Sequence, residues 1–214
     1  MPFFSQWQEQ NIPFVLFNTD IPEADALSYV GQDSYQSGLL AGKLIHYGQP
    51  FPCPILVAHI DEELSNAAHL LKKEQGFRDY FRQSNLDKDY KIIAISLDRS
   101  DAAGFDQKLA QVFNNDPGIQ SIYVTTSKAY DIAGWLMQKG MTNLKLVGYD
   151  LLPQNLHFLD TGQISFLINQ NPRGQGYWGI HQLADHLVFK KEVRVLKYLP
   201  LDVVTKENAA YYAQ

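Results

Sequence analysis

Polar side chains follow most of the short apolar runs in this sequence, at the points where buried strands would end. These residues carry amides, hydroxyls and carboxylates: Asn18, Thr19, Asp20, Gln32, Asp33, Asp61, Thr125, Thr126, Ser127, Asp150, Asn169 and Gln170. In an open parallel sheet, ligands bind beyond the carboxyl ends of the strands. Carboxylates and amides pair well with vicinal hydroxyls, whereas a phosphate favours glycine-rich turns and cations. The set therefore predicts a site for a small polyhydroxylated ligand.

Each of these residues also has an ordinary structural role, because Asp, Asn, Ser and Thr are common in turns and at helix N-caps. Asp150 closes the apolar run KLVGYD shortly before Pro153, where a helix would begin. Its carboxylate either faces a cleft or caps that helix. Gln170 lies two residues before Pro172, a place from which a side chain can reach into a crevice. The sequence alone leaves both interpretations open.

Catalytic and metal-binding signatures are largely missing. No GxSxG, GxxxxGK or HExxH motif occurs, and the six histidines are not spaced as a metal site requires. The stretch from Gly174 to Gly179 matches GxGxxG, but Pro172 already begins a helix there, so the glycines are predicted to lie inside that helix. We predict no enzymatic activity, no cofactor and no metal. The alternative is an α/β enzyme that uses Asp150 or this motif.

Composition describes an ordinary globular chain. Of its 214 residues, 45% are hydrophobic and 19% are charged, which is enough to form a sizeable core. The formal charge is −5 and no basic run exceeds two residues, which argues against nucleic-acid binding by this chain. We find neither a signal peptide nor an apolar run of about 18 residues, and expect a cytoplasmic protein without membrane contact. The single Cys53, between two prolines, predicts a buried thiol.

Short apolar runs alternate with longer amphipathic stretches throughout, which is the pattern of βα units on parallel sheets. The predicted strands are 12–17, 28–31, 55–60, 90–97, 119–124, 145–149, 164–169 and 195–204. The predicted helices are 34–46, 64–84, 102–114, 129–139, 153–160 and 172–189. The chain opens on FFSQWQEQ, which looks like the end of a helix, so we expect a truncated form of a larger fold.

Three stretches together resemble the effector-binding domain of lactose-repressor-type (LacI/GalR) transcription regulators, which has the type I periplasmic sugar-binding-protein fold. They are IPFVLFNTDIP with SYVGQDSYQSGLLAGKLI, then KLVGYDLLPQNL, then ISFLINQNPRGQGYWGI. The resemblance implies a two-lobed α/β protein whose parallel sheets are flanked by helices and whose first lobe is incomplete. It implies an N-terminal lobe of residues 1–49 plus 171–193 and a C-terminal lobe of residues 50–170 plus 194–214.

The resemblance also implies sugar-binding roles for particular residues. Those residues are Asn18, Asp33, Lys73, Thr126, Asp150 and Gln170. Lys73, in LKKEQGF, stands where the family commonly has an arginine, and a lysine lacks the bidentate fork of arginine. Phe105 and Tyr130 are the candidates for the aromatic ring that stacks on the sugar.

The function that the resemblance implies is ligand sensing. A sugar bound between the lobes would shift a homodimer between states of different DNA affinity, and DNA would be bound only through an N-terminal domain absent from this chain. A sugar-binding domain of a transporter or sensor kinase is the alternative, which an upstream secretion signal or membrane span would favour. A first lobe without its inner strands would also expose apolar faces and strand edges.

Overall fold

The computed structural model describes residues 2–49, 51–61 and 68–212. Its helices are α1 (Pro2–Glu9), α2 (Ser34–Gly48), α3 (Ala68–Gln83), α4 (Ala102–Asn115), α5 (Ala129–Gln138), α6 (Pro153–Asp160) and α7 (Pro172–Leu187). Its strands are β1 (Val15–Phe17), β2 (Ser28–Gly31), β3 (Ile55–Ile60), β4 (Ile92–Leu97), β5 (Ser121–Val124), β6 (Lys145–Tyr149), β7 (Phe166–Asn169), β8 (Leu196–Tyr198) and β9 (Asp202–Val204). Helices and parallel strands alternate, which confirms the predicted α/β class.

The chain forms two compact units. The smaller unit contains Met1–Asp33 and Gln170–Leu201, and the larger unit contains Ser34–Asn169 and Asp202–Gln214. The sequence analysis placed residues 34–49 in the N-terminal lobe and residues 194–201 in the C-terminal lobe. Both segments belong to the other unit, because α2 packs on α3 while β8 pairs with β2.

The smaller unit has a three-stranded parallel sheet in the order β1-β2-β8, against which α7 packs. Helix α7 begins at Pro172, and the side chain of its N-cap Asn171 accepts a hydrogen bond of 2.9 Å from the Gly174 N–H. The GxGxxG stretch therefore lies inside a helix, as predicted. A Cβ on Gly179 would lie 3.8 Å from Val15 Cγ1 on β1, an ordinary packing distance, so α7 lies against β1 here without requiring a glycine.

The larger unit has a six-stranded sheet in the order β4-β3-β5-β6-β7-β9. The first five strands are parallel, and β9 runs antiparallel to β7. Every residue of β3 and β5 is buried, as expected for strands covered by helices on both faces. The core is formed by Leu56, Ile122, Leu146 and Leu167 on the sheet and by residues of α4, α5 and α6. Burial of each such side chain contributes about 1.5–3 kcal/mol to stability.

Helices α2 and α3 approach each other closely at two glycines. A Cβ on Gly38 would overlap the carbonyl oxygen of Lys73, and a Cβ on Gly76 would overlap that of Tyr35. Only glycine lets the two backbones pack at this distance. The contact fixes α2 on the larger unit, and it fixes the turn of α3 that carries Lys73.

The predicted strand 195–204 is two strands in two different sheets. Strand β8 pairs with β2 in the smaller unit, and β9 pairs with β7 in the larger one. Pro200 lies between them and has no N–H to donate, which ends the first strand. Elsewhere the predicted elements agree with the observed ones to within about three residues at the ends. The predicted helix 64–84 corresponds to α3, and its first four residues, 64–67, lie outside the described residues.

Candidate ligand-binding site

The carboxyl ends of the parallel strands in the larger unit meet at one edge of its sheet. Asp61 directly follows β3, Thr126 lies two residues after the end of β5, and Asp150 directly follows β6. Asp61 and Asp150 both have left-handed backbones, with φ of 56° and 65°. This conformation is uncommon for residues other than glycine, although Asp and Asn tolerate it best. Helix α6 has Leu152 as its N-cap, so Asp150 is not the residue that caps it.

Lys73 links the ends of β5 and β6. Its side chain is 2% exposed, and its ammonium donates a hydrogen bond of 3.1 Å to the Thr125 carbonyl. The same nitrogen lies 3.7 Å from the centroid of the Tyr149 ring, a cation–π contact. Thr125 precedes Thr126 and Tyr149 precedes Asp150 in the chain. The structure thus brings Lys73 together with the two strand ends that carry the other predicted site residues of this unit.

Thr126 has a hydroxyl group available for hydrogen bonding. The residue is 7% exposed, and its Oγ1 has no hydrogen-bond partner among the residues that the structure describes. A buried hydroxyl without a hydrogen-bond partner lowers the stability of a fold, so such a group often indicates a bound ligand or water. Here the hydroxyl lies at a sheet edge where ligands bind in this type of fold.

A chain of buried hydroxyl groups supports the Tyr149 ring. The Tyr149 hydroxyl lies 2.7 Å from that of Tyr123 and 2.9 Å from Ser37 Oγ. Burial raises the pKa of both tyrosines, so both stay protonated and neutral. The three hydroxyls satisfy one another's hydrogen-bonding capacity and connect α2 to β5 and β6.

The buried His59 and the partly exposed Glu74 form a second polar pair, next to Thr125. His59 is 1% exposed, with Nδ1 2.8 Å from Thr125 Oγ1 and Nε2 2.8 Å from a Glu74 carboxylate oxygen. Arg78 donates to the other carboxylate oxygen at 2.7 Å. The His59 hydrogen bond, with a further contribution from Arg78, lowers the pKa of Glu74 to about 2. This pair was not predicted from the sequence, although a histidine within the otherwise apolar run ILVAHI was a signal for it.

The depressed pKa of Glu74 predicts a loss of stability in acid. Because the pKa in the folded state, about 2, lies below the ordinary value of 4.5, ionised Glu74 stabilises the fold above pH 4.5. That contribution is lost as the pH falls from 4.5 towards 2. We expect Glu74→Gln to remove about 1–2 kcal/mol of this pH dependence, measured by urea unfolding at pH 3 and pH 7. The exposed Glu192→Gln is the control, and an unchanged pH dependence in Glu74→Gln would contradict the assignment.

Asp61 is the centre of a group of ion pairs. Its carboxylate accepts hydrogen bonds from the Arg99 N–H at 2.8 Å and from Arg99 Nε, and it lies 3.3 Å from Lys128 Nζ. Burial raises the pKa of Asp61, but the bonds from Arg99 and Lys128 outweigh burial and hold it below its ordinary value. Arg99 Nη1 also donates to the Tyr130 hydroxyl at 2.8 Å. These bonds tie together the ends of β3 and β4 and the start of α5.

The two candidates for a stacking aromatic, Phe105 and Tyr130, lie in the same larger unit. With Trp135 and Phe158 they line a surface cavity of about 440 Å³, which Arg99 also borders. The Tyr130 hydroxyl is held by Arg99, so its ring has a defined position. Their predicted role in stacking on a sugar stays a prediction.

The remaining predicted residues lie at the corresponding edge of the smaller unit's sheet. The buried Tyr29 hydroxyl lies 3.2 Å from the carbonyl oxygens of both Asn18 and Gln32, to which it donates. Gln32 Nε2 donates to the side-chain oxygen of Gln170, and Asp33 directly follows Gln32 in the chain. The structure therefore brings Asn18, Asp33 and Gln170 to one edge, beyond the ends of β1 and β2.

Other features of the described residues concern metals, membranes and the cysteine. Within residues 2–49, 51–61 and 68–212, no group of three or more His, Cys, Asp and Glu side chains could hold a metal ion. No described helix is long and apolar enough to span a membrane. Cys53 is buried, as its sequence context predicted.

Comparison with known proteins gives consistent matches. The profile of the periplasmic binding protein domain matches residues 1–191. A protein from Bacteroides fragilis assigned to the LacI transcriptional regulators is 32% identical, with a TM-score of 0.91 over 99% of this chain and 73% of its own. GanP, a glucose-galactose binding protein from Geobacillus stearothermophilus, is 27% identical, with a TM-score of 0.82 over 97% of this chain and 72% of its own.

A sugar-binding protein of an ABC transporter from Bacillus halodurans has the same fold, with a TM-score of 0.81 at 19% identity, over 99% of this chain and 75% of its own. No curated protein sequence matches this chain significantly. The structural matches thus include a protein assigned to the transcription regulators and sugar-binding proteins.

Proposed function

Because the chain belongs to the periplasmic binding protein domain family, we propose that it binds a small sugar at the carboxyl ends of its parallel strands, without chemical conversion. The observation that carries this proposal is the group at the ends of β5 and β6. It combines the Asp150 carboxylate, the Thr126 hydroxyl without a partner among the described residues, and the Lys73 ammonium. In the smaller unit, considered by itself, the proposed sugar-binding residues are Asn18, Asp33 and Gln170.

The chemistry of this group suits vicinal hydroxyl groups. A carboxylate can accept hydrogen bonds from two neighbouring hydroxyls, a threonine can both donate and accept, and an ammonium can only donate. Hydrogen bonds to charged groups are about twice as strong as those between neutral groups. The sugars bound by GanP, glucose and galactose, support the same ligand class for this chain.

We further propose that the sugar is an effector of a LacI-type transcription regulator. The match to the Bacteroides fragilis protein, at 32% identity, supports this role. In that role the domain acts as a cytoplasmic homodimer, and DNA is bound only by a separate N-terminal domain. The second candidate is a sugar-binding protein of a transporter, and the match to GanP, a glucose-galactose binding protein, is compatible with either role.

Calorimetry with the purified chain tests the ligand class. We expect at least one neutral monosaccharide, from a panel including glucose, galactose and arabinose, to bind with micromolar affinity. A matched panel of amino acids and nucleotides should give no heat of binding. Binding of an amino acid or nucleotide, with no response to any sugar, would overturn the proposal.

Cell physiology separates the regulator from the transporter. If the protein is a regulator, deleting its gene should change sugar-dependent transcript levels of catabolic genes. If it is a transport protein, deletion should instead lower the initial rate of labelled sugar uptake while the transport genes remain expressed. A defect in uptake alone would reject the regulator role.

A further inference from the structure

Asn155 connects the two chain segments that carry Thr126 and Asp150. It lies in the first turn of α6 and is fully buried. Its Oδ1 accepts a hydrogen bond of 2.9 Å from the Tyr130 N–H, in the first turn of α5, the helix that follows β5. Its Nδ2 lies 2.8 Å from the Ser127 carbonyl oxygen, also after β5. One side-chain amide thus bonds to the β5 segment both as acceptor and as donor.

The same Nδ2 also reaches the end of β6. It lies 2.9 Å from the carbonyl oxygen of Tyr149 and 3.0 Å from that of Asp150. The Asp150 backbone is left-handed there, and its N–H donates to the Ile168 carbonyl at 3.1 Å. Such a backbone persists only where the surrounding structure holds it. Asn155 supplies part of that support.

Asparagine is well suited to this position because its side chain both accepts and donates. An aspartate would keep the acceptor for the Tyr130 N–H, but while ionised it has no hydrogen to donate, whereas the Asn155 amide has two to share among the three nearby carbonyl oxygens. A leucine of similar volume would leave the buried carbonyl and N–H groups without partners, at a cost for each.

We propose that Asn155 is a positioning residue for the sugar site, and that it sets both affinity and selectivity by fixing Thr126 and Asp150 relative to each other. The inference rests on the proposed function, since it concerns the same site. Asn155 is fully buried and its amide bonds to the protein, so it acts through these two segments and does not touch the ligand. Sites whose contacts are held by neighbouring hydrogen bonds bind more tightly because less is ordered on binding.

The test compares Asn155→Ala with a matched variant at the opposite edge of the same sheet. Gln49 is also buried, and its Nε2 donates to the Gln120 carbonyl at 3.0 Å and to Ser121 Oγ at 2.7 Å, where β5 begins. Gln49→Ala therefore also removes buried hydrogen bonds from β5. Both variants should unfold at lower temperature than the native protein.

Only Asn155→Ala is expected to change binding. Its Kd for the sugar identified by calorimetry should rise at least tenfold, and its preference between two epimeric sugars should fall by a similar factor. Gln49→Ala should keep the native Kd and preference within about twofold, at a temperature where both variants are folded. Native affinity and selectivity in Asn155→Ala, or equal losses in Gln49→Ala, would overturn the proposal.

Hydrogen exchange separates this proposal from the proposed function. In the absence of any sugar, Asn155→Ala should exchange backbone amides faster than Gln49→Ala at residues 126–131 and 149–151. If the native protein binds no sugar but this local difference appears, the function is wrong and the positioning of the two segments is upheld. Equal exchange in both variants at these residues would refute the positioning role directly.

Discussion

Replacing Asp150 with asparagine is expected to weaken sugar binding at least a hundredfold. The substitution removes the negative charge but keeps the shape of the side chain, and asparagine tolerates the left-handed backbone that Asp150 adopts, at φ 65°. Two hydrogen bonds to a charged acceptor, each about 1.5 kcal/mol stronger than their neutral equivalents, account for this loss. Thermal stability should change little.

Calorimetry with the same sugar measures the effect. Asp160→Asn is the matched control, because Asp160 is an exposed carboxylate at the end of α6 and lies away from the strand ends. It should bind with native affinity. A Kd for Asp150→Asn within threefold of the native value would show that the ligand does not use this carboxylate.

The fold was predicted well wherever a single element carried its own signal. Strand β3 is apolar except for His59 and was predicted with its observed bounds, and α6 was placed correctly by Pro153. Residues 195–204 were predicted as one strand, although Pro200 within that range interrupts a strand because it has no N–H to donate. Local chemistry was sufficient in each case.

The unit boundary depends on tertiary contacts, which a sequence pattern does not report. For helix α2 the decisive feature is the close approach of its backbone to that of α3 at Gly38 and Gly76. A glycine in a helix can indicate close packing, but the sequence does not indicate which element packs against it. The predicted boundary was at residue 49, and the first segment of the smaller unit ends at Asp33.

The candidate site was predicted in part for the same reason. Strand ends identify Thr126 and Asp150, because position along the chain determines the sheet edge on which a residue lies. The residues that support them come from distant segments. Glu74 meets His59 from α3, and Asn155 meets both strand ends from α6. Glutamate and asparagine are common in helices, so the sequence alone does not indicate these contacts.

Gly38→Ala is expected to lower the free energy of unfolding by about 3 kcal/mol or more. The added Cβ would overlap the carbonyl oxygen of Lys73 and lie 2.8 Å from the Phe77 nitrogen. Both are backbone atoms of α3, so no side-chain rotation can relieve the contact, and the two helices must separate. Separation would also displace Lys73 from the Thr125 carbonyl, so sugar affinity should fall along with stability.

Gly134→Ala is the control for this prediction. It also adds a methyl group to a helical glycine of the larger unit, but that methyl would meet only Phe158 Cζ, at 3.7 Å. Because alanine favours helix more than glycine by about 1 kcal/mol, this variant should be as stable as the native protein or more so. Urea unfolding of both variants measures the difference. If Gly38→Ala is as stable as Gly134→Ala, the α2–α3 backbone contact does not fix α2 on the larger unit, and the assignment of α2 must be revised.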